Sequence, residues 1–480
     1  MTEPGPAPFF HAPAPGRTDT RPEPPRRRPP GEIAALLREE VPGTGGSALP
    51  ARPFVLPRRS YDELFGISRL VLALLRRAAL ARGTSWPARL AALGARSEDH
   101  PLLSGMDNTE TGYCSLMARA DVVVGADGPR LLDFHVGGAF PGAVETSGLA
   151  RVWGRVYGAG DGPPFAGHDP LATRAEAFAE VCARRRLPRA VAVLGRAEDL
   201  DPHADAGENP KAGARYAERE VAGFRERGFA ADFFEPGALP EALGRPARLR
   251  YPLGLCRFSP TAWARAGLDT GPVRDAQRAG LLLLPPQSGG LLADRRVLAL
   301  VSAGLPWMTR GERELTDRWL PWTRPTLAGR TPWRDGEREL PDAVLADREA
   351  YVLKSAVRDA GHVLVGRRTD EARWRRAVED AFRRGDGVVQ EYVEPLSCPL
   401  ELTDGETVWT APVTPVFGPM LFGGRPGGCW GRYALPGSPA PAGHNAVPAH
   451  NAVLADAAPG RSAGTGVSAP GARGAARRSR

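Results

Sequence analysis

Two aspartates and a histidine are spaced so that they could hold a divalent metal ion. Asp121 lies in the run ARADVVVG, and Asp133 and His135 lie in the run RLLDFHVG, which follows a short turn. Side chains two residues apart on a strand leave the same face, and hairpin pairing would bring Asp121 near the other two. Magnesium prefers carboxylate oxygens together with nucleotide phosphates. The alternative interpretation is an exposed hairpin face that binds nothing.

A second group of candidate residues lies between Lys354 and Val393. A strand ends at Lys354, and a loop, a strand, a helix and a further strand ending in Gln390-Glu391-Tyr392-Val393 follow it. An ammonium group at a strand end is a compact charge suited to nucleotide phosphates. Lysine is rare in this chain, since only Lys211 and Lys354 occur among the 63 basic residues. Lys211 lies in a polar stretch, where a surface position is predicted.

The length of 480 residues favours two or three domains. Most of the net charge of +8 lies in terminal segments rich in Pro, Gly, Ala and Arg. Residues 1–30 carry five arginines against three carboxylates, and residues 437–480 carry five against one. Such composition predicts disordered tails over residues 1–31 and 437–480. The nearly neutral body argues against a nucleic-acid partner, although an interaction role for the tails stays open.

The cysteine content and the hydropathy of the sequence indicate the cellular compartment of the protein. The five cysteines are odd in number, widely separated and without a CxxC pair, which favours a reducing environment. No apolar run approaches the roughly 18 residues of a membrane span, and the first 30 residues contain no signal-peptide pattern. The sequence therefore predicts a cytoplasmic protein without a membrane partner and leaves its oligomeric state open.

The spacing of apolar residues divides the chain between its two terminal segments into three parts. Residues 32–186 combine helical three-to-four spacing with the two strands that carry the aspartates. Residues 187–290 alternate strands and helices, which predicts a small parallel α/β unit. Residues 291–436 contain the strands and the helix around Lys354 and Gln390. We therefore expect the two candidate groups to come from different parts of the chain.

Taken in order, these motifs resemble the ATP-grasp superfamily. The matching motifs are R-x-D at Arg119/Asp121, D-F-H at Asp133–His135, PWTR at Pro321–Arg324, VLK at Val352–Lys354 and VVQEYV at Val388–Val393. A standard ATP-grasp enzyme has its metal-binding carboxylates last, whereas here they come first. The chain is therefore similar to the circularly permuted branch that includes glutathionylspermidine synthase and related carboxylate–amine ligases. The resemblance covers roughly residues 100 to 432.

The resemblance implies an α+β fold, a circularly permuted ATP-grasp with an inserted Rossmann-like α/β subdomain. It implies an ATP-dependent ligase that converts a carboxylate to an acyl phosphate, which an amine then attacks to form an amide. ATP and Mg²⁺ would be bound, and the partners would be small-molecule or peptide carboxylates and amines. The implied nucleotide-binding residues are Lys354, which would contact phosphate, Gly361 in the phosphate loop, Glu391 and Val393 at the adenine with Gln390 next to them, and Arg295. Metal binding is implied for Asp121, Asp133 and His135, and contact with transferring phosphate or substrate carboxylate for Arg119 and Arg432.

Four positions depart from the family's pattern. Asp133 replaces a glutamate, His135 replaces an asparagine, and Arg295 stands where relatives commonly have lysine. The loop after Lys354 contains only Gly361, where relatives are richer in glycine. Because an imidazole is a softer ligand than magnesium prefers, the site is either retuned, for example toward Mn²⁺, or has lost turnover. Two hypotheses stay open: an active ligase, and a catalytically degenerate homologue that serves as a binding or scaffold protein.

Overall fold

The computed structural model describes residues 9–11, 28–42, 48–158, 164–200, 210–239, 243, 249–333, 336–357, 363–434 and 449–456. Within these residues the helices are Pro30–Glu40, Arg58–Leu80, Trp86–Ala92, Asp107–Tyr113, Ala143–Tyr157, Pro170–Arg185, Ala197–Leu200, Pro210–Arg225, Pro260–Arg265, Gly271–Arg278, Gly289–Leu292, Arg295–Ala303, Arg310–Trp319, Leu340–Ala346 and Glu371–Arg384. The strands are β1 (Leu49–Pro50), β2 (Phe54–Leu56), β3 (Met117–Gly125), β4 (Gly128–Val136), β5 (Phe165–Ala166), β6 (Ala190–Leu194), β7 (Ala230–Phe234), β8 (Leu253–Cys256), β9 (Leu282–Leu284), β10 (Thr323–Pro325), β11 (Arg330–Trp333), β12 (Gly336–Glu339), β13 (Tyr351–Ser355), β14 (Val363–Val365), β15 (Gly387–Glu391), β16 (Cys398–Thr403), β17 (Val408–Phe422), β18 (Arg425–Ala434) and β19 (Ala449–Asp456).

A large sheet carries the predicted hairpin. Its strand order is β1-β16-β17-β18-β19-β2, with β3 paired to β17, β4 paired to β3, and β5 paired to β19. The antiparallel β3–β4 hairpin agrees with the sequence prediction, and its turn closes at Gly128 with a φ of 103°. That left-handed conformation favours glycine, because a Cβ would crowd the backbone. The hairpin is the element that positions Asp121 and Asp133.

The long helix Arg58–Leu80 covers one face of this sheet. Its apolar residues recur every three or four positions, so that Leu64, Val71 and Leu75 are buried against the sheet while the opposite face carries arginines. The helices Ala143–Tyr157 and Pro170–Arg185 pack against the region around β17, β18 and β19. Helices therefore cover the large sheet, and polar groups on its buried surface must find partners inside the protein.

A parallel unit and a small antiparallel sheet complete the fold. The parallel sheet has the order β7-β6-β8-β9, and β6 is buried throughout, as expected for a strand covered on both faces. The small sheet has the order β10-β15-β13-β14 and carries Lys354 on β13 and Gln390 and Glu391 on β15. The helix Glu371–Arg384 packs on it through Trp374 and Val378.

The structure corrects the predicted tails. Residues 449–456, inside the segment expected to be disordered, form β19, which pairs antiparallel with β18 and parallel with β2. At the other end, Phe9 and Phe10 from the predicted tail of residues 1–31 lie against Phe417. Composition misled the prediction because a short apolar run is ordered by strands that lie far away in the sequence.

The predicted boundaries also change. Strands β16, β17 and β18 lie within residues 291–436, assigned to the nucleotide-binding part, yet they belong to the same large sheet as the hairpin. The last strand of the small sheet in chain order, β15, ends at Glu391. Sheet partnership is set by pairing between distant strands, which local periodicity does not reveal. In the described residues, no helix combines the length and apolarity that a membrane crossing requires.

Candidate functional site

Four polar side chains share one face of the β3–β4 hairpin. In the register of the hairpin, Arg119 lies opposite His135 and Asp121 lies opposite Asp133. Directly opposed residues on antiparallel strands point to the same face. Arg119 Nη2 lies 3.1 Å from Asp121 Oδ1, and His135 Nε2 lies 3.0 Å from Asp121 Oδ2. The hairpin therefore brings Arg119, Asp121 and His135 into direct contact, whereas the spacing predicts a group of Asp121, Asp133 and His135.

The imidazole of His135 has two neighbours competing for one nitrogen. Its Nε2 lies 3.0 Å from Asp121 Oδ2 and 3.0 Å from Arg119 Nη2. A protonated Nε2 donates to the carboxylate, whereas an unprotonated Nε2 accepts from the guanidinium, so only one contact is a hydrogen bond at a time. Both contacts engage Nε2, one of the two ring nitrogens through which a histidine can bind a metal ion.

Arg432 reaches Asp121 from β18, two strands away. Its Nη2 lies 2.8 Å from Asp121 Oδ1, across the intervening strand β17. Gly418 on β17 leaves room for the Arg119 side chain, because a Cβ at this position would meet it at 3.1 Å. The predicted residues Arg119 and Arg432 therefore converge on one carboxylate.

A tryptophan supports both arginines. The Trp430 ring centre lies 5.1 Å from the Arg119 guanidinium carbon and 5.2 Å from that of Arg432, within cation–π range. The Trp430 ring packs closely against Gly142, where an added Cβ would stand 2.8 Å from the ring. The sequence prediction missed Trp430, although its position two residues before Arg432 on one strand placed both on the same face.

Asp133 turns away from Asp121 and pairs with Arg295. Arg295 Nε and Nη2 lie 3.0 Å and 2.5 Å from Asp133 Oδ2, while Asp133 Oδ1 accepts from the Phe134 backbone N–H. Arg295 Nη1 also donates to the Ser355 carbonyl at 2.8 Å. Since the arginine is 4% exposed and the Asp133 side chain 13%, this is a buried bridge between the hairpin and β13.

A β-bulge presents one backbone carbonyl to the small sheet. The pairing steps from Asp121↔Asp133 to Val122↔Leu131, which leaves Leu132 as the extra residue. Lys354 Nζ donates to the Leu132 carbonyl at 3.0 Å and to Gln390 Oε1 at 2.7 Å. Gln390 Nε2 donates to the same carbonyl at 3.2 Å. Lys354 and Gln390 therefore face the hairpin across the junction between the two sheets.

The remaining nucleotide-contact predictions lie farther along the same junction. Glu391 Oε2 lies 3.4 Å from the Trp322 backbone N–H, and the Glu391 N–H donates to the Trp322 carbonyl. A Cβ on Gly125 would meet Val393 at 3.1 Å, so Val393 lies beside the hairpin turn. Gly361 lies outside the described residues.

The arginines keep both aspartates ionised. Burial alone would raise the pKa of the Asp121 carboxyl, but Arg432, Arg119 and His135 hold that pKa well below its ordinary value. Burial likewise opposes ionisation of Asp133, and Arg295 with Lys354 overcomes it, so the pKa of Asp133 is also strongly lowered. At neutral pH both groups are carboxylates with cationic partners.

These residues do not fit a divalent ion in the arrangement that the structure shows. The oxygens of Asp121 face Arg119, Arg432 and His135, and those of Asp133 face Arg295 and a backbone N–H. In the part of the chain that the structure describes, no group of three or more His, Cys, Asp or Glu side chains is arranged to hold a metal. Metal ligation by Asp121, Asp133 and His135 would require the arginines to move.

A cavity of about 210 Å³ opens beside His135. It lies where β8 and β9 of the parallel sheet end, and Cys256, Ser259, Gln287 and His100 contribute to its lining. Ligands of open parallel sheets commonly bind outside the carboxyl ends of the strands. The cavity is therefore a candidate substrate pocket, formed where the parallel unit meets the hairpin.

Comparison with known proteins identifies the fold. No protein-family model matches the chain, and no curated protein matches its sequence. A glutathione synthetase-like effector from Globodera pallida, solved in its apo form, aligns with a TM-score of 0.54 over 89% of this chain and 96% of the effector, at 12% identity. A putative gamma-glutamylcysteine synthetase from Methylobacillus flagellatus KT aligns with a TM-score of only 0.36, covering 68% of this chain and 77% of its own length at 11% identity.

The effector comparison supports the predicted mixture of helices and sheets. The chain has a fold that resembles the fold of this glutathione synthetase-like effector. At this low identity the likeness concerns the fold alone. The circular permutation and the insertion of the parallel unit stay predictions.

Proposed function

We propose that the protein is an ATP-dependent carboxylate–amine ligase that works through an acyl phosphate. One observation carries the proposal: four cationic side chains from four elements, Arg119, Arg295, Lys354 and Arg432, lie around the carboxylates of Asp121 and Asp133. Arg119, Arg295 and Lys354 are buried, and the Arg432 side chain is 19% exposed. Such a concentration of positive charge favours an anionic ligand, because the combined field of the four cations attracts it.

The reaction would begin when a substrate carboxylate oxygen attacks the γ-phosphorus of ATP. The bond from that phosphorus to the ADP oxygen breaks, which leaves an acyl phosphate and ADP. The amine nitrogen then attacks the acyl carbon, inorganic phosphate leaves, and a proton is lost from nitrogen. Such chemistry depends mainly on positioning and on neutralising phosphate charge. Lys354, Arg119 and Arg432 are the groups that would do this work.

The substrates would occupy the cavity beside His135. His100 in its lining has its Nδ1 placed 3.2 Å from the Arg96 carbonyl, which leaves Nε2 as the free acceptor when Nδ1 carries the proton. Burial lowers the pKa of His100, so its imidazole is neutral at pH 7. We propose His100 as the group that accepts the proton of the attacking amine. No step is assigned to a divalent ion, since the carboxylates are occupied by arginines.

ATP binding and turnover test the proposal together. ATP, with and without Mg²⁺ or Mn²⁺, is expected to raise the melting temperature of the wild-type protein, and mixtures of candidate acids and amines should release ADP. Lys354→Met should abolish both effects. Lys211→Met, which removes the only other lysine, is the matched control and should leave both unchanged. Absence of any ATP effect on the wild type would refute the ligase proposal.

A second candidate function has its own supporting observation. The charged groups of the site also link the two sheets: Arg295 joins Asp133 to the Ser355 carbonyl, and Lys354 binds the Leu132 carbonyl. These contacts occupy the groups that a nucleotide would need. They favour a catalytically degenerate homologue that uses the fold to bind a partner. For this candidate, Arg295→Met and Lys354→Met would alter stability alone, and ATP would bind neither wild type nor variant.

A further inference from the structure

A second concave site lies outside the candidate ligase centre. This cavity, of about 480 Å³, is enclosed by the helix Arg58–Leu80, the helix Pro170–Arg185 and the turn between β17 and β18. Leu116, the residue before β3, contributes to its floor, whereas Asp121 lies five residues farther along the chain. None of Arg119, Asp121, Asp133, Lys354 and Arg432 lines this cavity, so the two sites are distinct. The volume lies within the ordinary range for small-molecule pockets.

Arginines dominate the rim of this cavity. Arg69, Arg76 and Arg77 come from one helix and Arg184 comes from the facing helix, against Glu180 as the one acidic lining residue. Glu180 already has a partner, since its Oε1 lies 2.8 Å from Arg425. Arg77 is likewise paired with Glu312. Among the described residues, no carboxylate is paired with the guanidinium of Arg69, Arg76 or Arg184, and Arg76 Nη2 donates to the Thr111 carbonyl at 3.1 Å.

The arginines of this rim are distinguished by the cavity that they share. Some arginines on other exposed helix faces have a carboxylate one turn away, as in the pairs Arg58–Asp62 and Arg310–Glu314, and others, such as Arg59 and Arg373, are exposed without lining either cavity. Arg69 and Arg76 are instead seven residues apart on one helix, about 10 Å along its axis, and point into the same concavity as Arg184.

We propose that this cavity binds a small molecule that carries two or more phosphate groups. Guanidinium groups match phosphate oxygens with paired N–H donors, and three of them suit a ligand with several anionic oxygens better than a single carboxylate. The floor is apolar, formed by buried Leu72, Leu116 and Leu421, and provides a surface for a non-polar portion of the ligand. The site is independent of the proposed ligase activity.

Inorganic pyrophosphate is the probe that tests the site. Isothermal titration with the full chain should show binding that weakens as salt is raised. The double variant R69Q/R184Q should weaken pyrophosphate binding by about tenfold for each guanidinium removed. The double variant R58Q/R310Q removes two exposed, paired arginines and is the matched control, expected to bind as the wild type does. All four replaced side chains lie on the surface, so the melting temperatures should match.

A third variant separates this cavity from the candidate ligase centre. R432Q removes a cation of that centre and should leave pyrophosphate binding at the rim arginines intact. Loss of binding in R432Q together with wild-type affinity in R69Q/R184Q would overturn the proposal. So would the absence of pyrophosphate binding to the wild type at low salt. Failure of the ligase proposal is visible separately, in the ATP-dependent release of ADP.

Discussion

The buried pair between Arg295 and Asp133 allows a quantitative test of how the two sheets are joined. Arg295→Met keeps much of the aliphatic length of the side chain and removes the guanidinium. It deletes the contacts of 3.0 Å and 2.5 Å to Asp133 and the 2.8 Å hydrogen bond to the Ser355 carbonyl. The carboxylate left behind is only 13% exposed, so water cannot fully replace the lost partner.

Removing one partner of a buried ion pair costs about 3–5 kcal/mol, because a charge is left uncompensated. For a cooperative unit of ordinary domain size, each kcal/mol lowers the melting temperature by roughly 2–4 °C. We therefore expect Arg295→Met to melt at least about 6 °C below the wild type. Arg310→Met is the matched control: its side chain is 93% exposed and pairs with Glu314, and such surface pairs contribute about 0–1 kcal/mol.

A double-mutant cycle distinguishes the ion pair from lost packing. Asp133→Asn combined with Arg295→Met removes both charges, so the double variant should be more stable than the sum of the two single losses implies. A coupling free energy of roughly 2 kcal/mol or more is expected from the burial of the pair. The measurement is thermal or urea unfolding of the four proteins at pH 7. Additive single effects, or a loss in Arg295→Met no larger than in Arg310→Met, would refute the reasoning.

Further predictions concern pH, packing and metal. The pKa of Asp133 is lower in the folded protein than in the unfolded chain, so its contribution to stability is fully present above its unfolded pKa of about 4 and is lost as the pH falls below that value. The difference in melting temperature between the wild type and Asp133→Asn should therefore shrink on acidification below pH 4. A difference that stays constant would contradict this assignment. Gly142→Ala should lower the free energy of unfolding by about 1–3 kcal/mol, because the φ of Gly142 is 111° and a Cβ would stand 2.8 Å from the Trp430 ring. Urea unfolding measures this loss. Gly154→Ala, where a Cβ meets no atom within 4 Å, is the control. Mg²⁺ without nucleotide should leave the melting temperature of the wild type unchanged, because the carboxylates are occupied, and a clear upward shift would show that the arginines yield to the ion.

Local patterns in the sequence were enough to locate the main elements of the site. Alternating apolar residues and the turn at Gly128 predicted the hairpin, and the two-residue spacing of Asp133 and His135 placed them on one face. The strand ending near Lys354 and the later strand with Gln390 were predicted by the same rule and lie side by side in the small sheet. These predictions succeeded because strand periodicity and turn chemistry depend on neighbouring residues.

Only the tertiary structure decided what those side chains touch. Arg432 reaches Asp121 across β17. Arg295, on a helix about 160 residues later in the chain, pairs with Asp133. The bulge at Leu132 directs a backbone carbonyl toward Lys354. The strand β19, which lies between β18 and β2 in the large sheet, could not be predicted for the same reason. Such contacts depend on which distant strands pair and on which cation lies nearest a buried carboxylate. Residue types and spacing therefore determined the candidates, whereas long-range packing decided that arginines, and not an open metal site, surround the two aspartates.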